Sequence, residues 1–256
     1  IINIMTKIIK DPIAKFFEER KSDIDRMGKD KDFQKKSLEW ILHANQYKYV
    51  YNFKWMGQPI IKFPADIIVQ QEIMWNLKPD LIIETGIAHG GSILFSASMI
   101  EMMGVKGEVV AVDIDIREHN KKLIEEHPMY KNITMYEGSS IDPKIFEKVK
   151  NHTKNKKCIM VILDSSHTHE HVLEELKLYA PLVSLNSYCI VLDTFVEYLP
   201  KGYSSQHDKR PWDVGNNPYT AMKTFLEKNN NFSIDKNLSN KGMITETIEG
   251  YLKRIS

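Results

Sequence analysis

Five apolar runs in this sequence each end in a short polar segment, and those segments hold the side chains that could do chemistry. The first run, DLIIET at 80–85, opens into Glu84-Thr85-Gly86-Ile87-Ala88-His89-Gly90-Gly91-Ser92. Glycine permits a tight turn and lets a ligand approach the backbone closely. The spacing E-x-G-x-x-x-G-G-S differs from the G-x-G-x-x-G of dinucleotide sites, and its carboxylate would repel a pyrophosphate. That carboxylate suits a cationic ligand, such as the amino group of S-adenosylmethionine. A plain turn carrying a surface glutamate is the blander reading. The second run, GEVVAVDID at 107–115, ends in Asp113 and Asp115. An acid roughly 20–30 residues past a glycine loop can accept both hydroxyls of a ribose. Asp113 comes first past the apolar run, whereas Asp115 also fits the N-terminus of a helix, where the dipole favours an acid. The third run, NITMYEG at 132–138, leads to Ser139 and Ser140, short polar residues able to bond an adenine edge. Ser140 or Asp142 equally fits as the cap of the next helix.

The fourth and fifth runs, CIMVILD at 158–164 and SYCIVLD at 187–193, end in Asp164-Ser165-Ser166-His167-Thr168-His169 and in Asp193-Thr194. Two carboxylates that converge without an internal basic partner call for a cation. Hard oxygen ligands imply Mg²⁺, with Mn²⁺ or Ca²⁺ as substitutes. Such an ion lowers the pKa of an acceptor hydroxyl, and His167, three residues beyond Asp164, is placed to take its proton near neutral pH. A lone histidine is more often structural. His169 and His171 read as the exposed face of the following helix. The segment 195–217, FVEYLPKGYSSQHDKRPWDVGNN, is long for a loop inside a compact domain and reads as a lid. Its Tyr198, Tyr203, His207, Arg210 and Trp212 suit an acceptor with hydroxyls and a flat or apolar face. Asn216 and Asn217, just before Pro218, belong to the same loop, although capping of the next helix accounts for them equally well.

Positioning these residues requires strands whose ends meet. The runs are almost continuously apolar and rich in Ile and Val, as in strands covered on both faces, and amphipathic stretches separate them. Alternating strands and helices imply right-handed crossovers and a parallel sheet, with ligands at the carboxyl ends of the strands near the point where strand order reverses. FSIDKNL and MITETIEGYLKRI read as two more strands with no helix between them, a terminal hairpin. The expected fold is therefore α/β, a doubly wound, Rossmann-like sheet of seven strands in the class I methyltransferase layout. Residues 1–65 read as a helical or irregular extension and 66–256 as the methyltransferase domain.

Composition narrows the partners. The 256 residues carry 35 Lys+Arg against 34 Asp+Glu, a net charge of +1, so no global field draws nucleic acid or an anionic membrane. No apolar run reaches the roughly 18 residues of a membrane span. The opening IINIMTKIIKD lacks the apolar core and cleavage site of a signal peptide. Both cysteines, Cys158 and Cys189, fall in apolar runs, which fits a reducing, cytoplasmic setting better than a disulfide framework.

From FPADIIVQQEIMWNLKPDLIIETGIAHGGSILFSASM through VVAVDIDIREHN, LDSSHTHEHVLEELKLYAPLV, SYCIVLDT, RPWDVGNNP and the closing GYLKR, the chain resembles the cephalosporin hydroxylase family. Despite the label, that family consists of S-adenosylmethionine-dependent, Mg²⁺-dependent proteins of the methyltransferase fold, rhamnosyl and macrolide-sugar O-methyltransferases among them. The resemblance implies cofactor contacts at Glu84, Thr85, Gly86, Gly90, Ser92, Asp113, Ser139, Ser140 and Asp164. It also implies a metal at Asp164 and Asp193, a base at His167, and self-association. Family members end the fifth strand in a Glu-Asp pair, whereas this chain has Leu192-Asp193. Thr194, a water or Glu197 then stands in as third ligand, or the metal is weak and His167 acts alone. The reading is an O-methyltransferase acting on a hydroxyl of a sugar, glycan or glycosylated natural product. The alternatives are an iron hydroxylase using Asp164, His167 and His169, a weakened S-adenosylmethionine-binding protein, and a nicotinamide dehydrogenase.

Overall fold

The computed structural model describes residues 12–256, so the opening segment judged unlike a signal peptide lies outside the described residues. Two helices lead, α1 (Pro12–Lys29) and α2 (Lys31–Asn45). A small hairpin, β1 (Lys54–Trp55) and β2 (Gln58–Pro59), and α3 (Pro64–Leu77) follow. The apolar runs then become β3 (Leu81–Thr85), β4 (Glu108–Asp113), β5 (Ile133–Glu137), β6 (Ile159–Leu163) and β7 (Tyr188–Val191). Helices α4 (Gly91–Met102), α5 (Glu118–Glu125), α6 (Pro143–Asn151) and α7 (His169–Tyr179) separate them, and α8 (Pro218–Glu227) follows β7 and its loop. The chain ends in β8 (Phe232–Ile234), α9 (Lys236–Gly242) and β9 (Tyr251–Arg254).

The seven-stranded sheet runs β5-β4-β3-β6-β7-β9-β8. β3 through β7 are parallel, whereas β9 is antiparallel to both β7 and β8. Strand order reverses at β3, which pairs with both β4 and β6, so the crevice above β3 is the expected ligand site. β3 and β6 are buried throughout because each face is covered. Ile82 joins side chains of α3, α4 and α5 on one face, while Leu81 and Ile83 join those of α6, α7 and α8 on the other. Capping sets where the helices begin. Asp142, not Ser140, caps α6, accepting from Lys144 N at 2.8 Å and Ile145 N at 3.1 Å.

The terminal antiparallel pair forms as expected, but it is not a simple hairpin. Only Phe232–Ile234 of FSIDKNL is a strand, because the chain turns at Asp235 into α9. Residues 243–250 then return as irregular backbone to the carboxyl ends of the sheet, where Thr194 Oγ1 donates to the Glu246 carbonyl at 3.3 Å.

Gly86, at the end of β3, has φ +93°, and a Cβ there would collide with the backbone carbonyl of Asp164. This close approach locks the first loop to the end of β6, where Asp164 N donates to the Thr85 carbonyl at 2.8 Å. Gly86→Ala is therefore expected to lower unfolding free energy by about 2–4 kcal/mol, measured by urea titration.

Candidate functional site

A cavity of about 1190 Å³ opens over the carboxyl ends of β3 through β7. Its walls include Gly86 to His89, Gly91 and Ser92 of the first loop, Asp113, Ser139, Ser140, the Asp164–His167 segment and Asp193. The lid segment adds Tyr203, His207, Arg210 and Trp212, and the N-terminal part adds Asn45, Gln46, Lys48 and Tyr51.

Glu84 lies at the bottom, fully buried, and neither carboxylate oxygen has a hydrogen-bond partner among the described residues. Its position on the central strand forces this burial. Desolvation drives its pKa up to about 7, against the opposing pull of Lys62. The buried hydroxyl of Ser92, in the first turn of α4, makes no well-formed hydrogen bond but lies close enough to help lower the Glu84 pKa. Asp113 reaches back to the first loop, where its Oδ2 accepts from Ile87 N at 2.7 Å and Ala88 N at 3.1 Å. Its Oδ1 accepts from Asp115 N at 3.1 Å. The residue thus shapes the loop, and each oxygen keeps a lone pair for a further donor.

Asp164, His167 and Asp193 offer ligand atoms that all lie within 4.8 Å of one another. His167 Nε2 is 3.1 Å from Asp193 Oδ2, and its ring meets the Trp212 ring edge-on at 4.6 Å. Asp193 holds its place through a left-handed backbone, φ 54° and ψ 21°, at the start of the 3₁₀ turn Thr194–Tyr198. A non-glycine residue in this region is uncommon, and such strain clusters at functional sites.

The sequence reading left these acids without an internal basic partner, and the structure corrects that. Lys62, fully buried, places Nζ 3.3 Å from Asp164 Oδ2 and 3.3 Å from Glu246 Oε1. Burial alone would lower its pKa, but Asp164, Glu246, Glu84 and Asp66 outweigh that and hold it raised, so the ammonium stays charged. Burial raises the pKa of Asp164 and raises that of Glu246 further. Asp66, also buried, is pushed to about 6 by desolvation. It accepts from Thr245 Oγ1, from Glu246 N at 2.9 Å and from Tyr251 OH at 3.2 Å, which anchors the 243–250 segment against the start of α3. Leu192 is buried in the core and supplies no ligand. Glu197 is engaged elsewhere, accepting from Gly215 N at 2.8 Å and Asn217 Nδ2 at 2.5 Å, and the Thr194 hydroxyl is bonded to the Glu246 carbonyl.

Other expected site residues fall behind the walls. Thr85 is buried inside the sheet, and Gly90 turns the chain into α4 against Ile124. Tyr198 packs edge-on against Tyr219 at 5.4 Å, away from the cavity. Asn217 caps α8 in a reciprocal pair with Thr220, and Asn216 Oδ1 accepts from His169 N at 2.9 Å. Both asparagines brace the lid segment and do not line the cavity. His169 and His171 are half-buried, contrary to expectation, because the first turns of α7 face α8 and the loop after β5. His169 Nδ1 lies 2.8 Å from Thr220 Oγ1, and this histidine takes no part in the Asp164 cluster that an iron site would need. Lys62 and Glu246 escaped the sequence reading. Their signal was a lone charge inside an apolar run, QPIIKFPADII for one and MITETIEG for the other.

Oxygen donors predominate in the Asp164, His167 and Asp193 cluster, and the surrounding floor is acidic. This donor set fits a hard divalent cation that keeps several waters.

A doubly wound sheet with an acidic floor at its switch point and an antiparallel terminal pair defines the class I methyltransferase architecture. The family model for rhamnosyl O-methyltransferase/CmcI matches residues 47–255, and the chain belongs to that family and is an O-methyltransferase. It is 32% identical over 204 residues to a rhamnosyl O-methyltransferase of Mycobacterium tuberculosis (strain ATCC 25618 / H37Rv), covering 78% of this chain and 77% of that protein. It is 35% identical over 143 residues to one of Mycobacterium leprae (strain TN), covering 55% of this chain and 59% of that protein. Among solved structures, apo CmcI-N160 superposes with a TM-score of 0.57 at 21% identity, covering 80% of this chain and 77% of that one. CmcI-D160 with Mg and S-adenosylmethionine gives 0.56 at 21% identity, covering 80% and 78%, and both share the fold.

The folded Glu84 pKa of about 7 lies above its ordinary 4.5, so the ligand-free fold is favoured while Glu84 is protonated and loses stability as pH rises from 4.5 through 7. Glu84→Gln is therefore expected to stabilise the ligand-free protein at pH 8 by up to about 3 kcal/mol and to have little effect near pH 4, read from urea unfolding. Lys62→Met leaves the buried Glu246 and the partly exposed Asp164 without their cation. A loss of about 3–5 kcal/mol is expected in the same assay at neutral pH.

Proposed function

We propose that this chain transfers the methyl group of S-adenosylmethionine to a hydroxyl of a rhamnose-type sugar or a glycosylated product, with His167 as base and divalent-ion assistance. The observation that carries the reading is a single cavity that joins the buried, unpartnered Glu84 to the Asp164, His167 and Asp193 cluster. The names of the mycobacterial relatives support the sugar, and the Mg-bound and S-adenosylmethionine-bound CmcI structure agrees with the cofactors.

S-adenosylmethionine, when bound, supplies an electrophilic methyl group whose C–S bond breaks as the bond to the acceptor oxygen forms. Glu84 pairs with its amino group, Ser92 adds a donor, and Asp113 accepts from the ribose while still bracing the loop. Asp164 and Asp193 would hold Mg²⁺, which when bound lowers the pKa of the acceptor hydroxyl. Asp193 orients His167 and keeps the proton on Nε2, leaving Nδ1 to take the hydroxyl proton. Trp212 packs against His167, and Tyr203, Arg210 and His207 face the acceptor. Positioning of the two reactants and removal of one proton supply the catalysis.

A second reading dispenses with the divalent ion and rests on Lys62, whose ammonium already neutralises Asp164. Dialysis against EDTA separates the two. A fall of tenfold or more in transfer rate to p-nitrophenyl α-L-rhamnoside, restored by Mg²⁺, supports the first reading, and an unchanged rate supports the second. His167→Ala is expected to keep calorimetric affinity for S-adenosylmethionine within about twofold while lowering the transfer rate by roughly 10²–10⁴. Failure of the wild type to bind S-adenosylmethionine would sink both readings.

A further inference from the structure

One hydrogen-bonded set in the cavity has no part in the chemistry above. Ser139 and Ser140 after β5, Ser165 after β6 and His171 of α7 line the wall. His171 Nε2 lies 3.0 Å from Ser140 Oγ and 3.6 Å from Glu175 Oε1, and the Ser165 hydroxyl donates to the same carboxylate oxygen at 2.7 Å. Glu175 is fully buried, and its Oε2 has no partner among the described residues. Tyr179 OH donates to the Ser140 carbonyl at 2.7 Å and fixes that segment from below.

A carboxylate this deeply buried is costly unless it organises a neighbour. The carboxylate 3.6 Å from Nε2 favours the tautomer that carries the proton there, with Ser140 Oγ as its acceptor at 3.0 Å, and in that tautomer Nδ1 is a bare acceptor. Nδ1 has no partner among the described residues, and the side chain is 20% exposed, on the cavity wall. The wall therefore offers a fixed acceptor to a ligand that brings an N–H.

We propose that His171 reads the exocyclic amine of an adenine ring seated at this end, with Glu175 and Ser140 holding the imidazole in place. The inference rests on the cofactor reading above. Strand order agrees with it: β3, β4 and β5 are consecutive neighbours. A ligand with its amino group at Glu84 and its ribose at Asp113 extends onward to Ser139 and Ser140. Hypoxanthine carries a carbonyl in place of the amine, which would face the Nδ1 lone pair, and a site built to bond one group rejects an analogue lacking it.

The test is calorimetric titration of S-adenosylhomocysteine and S-inosylhomocysteine into the wild type, His171→Phe, His171→Gln and Glu175→Gln. The wild type is expected to prefer the adenine compound by roughly tenfold or more. In His171→Phe the preference falls to about one through loss of adenine affinity, while the inosine compound changes by less than about threefold. In His171→Gln the amide oxygen restores part of the preference, and Glu175→Gln reduces it by freeing the imidazole. A preference unchanged in His171→Phe overturns the proposal, as does an equal weakening of both compounds, which would mark a packing role. A wild type that binds neither compound overturns the cofactor reading and this inference with it.

Discussion

One buried ammonium makes the rest of this site possible. Asp66, Glu84 and Glu246 are withdrawn from water around Lys62, and the partly exposed Asp164 and Asp193 stand beside them. Burying an ionised carboxylate is unfavourable unless a charge or several donors compensate. Lys62 compensates two of them directly, while Asp66 relies on three donors from the 243–250 segment and Tyr251. Glu84 has neither. The floor is left with more negative charge than the protein itself balances, and that surplus selects cationic ligands.

The order of the strands turns this electrostatic arrangement into a linear site. Glu84, Asp113 and the Ser139–Ser140 pair sit at the ends of three neighbouring strands, and Asp164 and Asp193 sit on the other side of β3. Asp113 illustrates how closely form and use are joined. The carboxylate that suits a ribose is the one that gathers two backbone N–H groups of the first loop. Its removal would disturb the loop together with any ligand held there, so Glu84 and His167 are the cleaner probes of binding and of proton transfer.

Much of this was legible in the sequence because it is periodic or local. Apolar runs such as LIIET and CIMVIL mark buried parallel strands, and the residues just past them must gather at one edge of the sheet. What was not legible depends on long-range return of the chain. Lys62 precedes the first sheet strand and Glu246 follows nearly all of them, so neither is a strand-end residue. MITETIEG alternates like a strand, yet Asp66 captures its backbone and hydroxyl groups and holds it as an irregular crossing. His171 was misplaced for a related reason. Its helical spacing is compatible with an exposed face, and only packing of α7 against the loop after β5 turns it inward. Asn216 and Asn217 show the reverse, polar lid residues whose bonds go to the protein itself.

The pairing of Lys62 with Glu246 spans 184 positions of chain, and that with Asp164 spans 102. Contacts this distant in sequence require the intervening sheet to order before they close, and their loop entropy makes them slow to form. During vectorial synthesis the first acids of the floor thus emerge long before the last, and the charge cluster cannot close until Glu246 has been made. The acidic pocket is consequently a checkpoint on assembly: a partly folded chain can hold a sheet and a glycine loop, but not a competent floor.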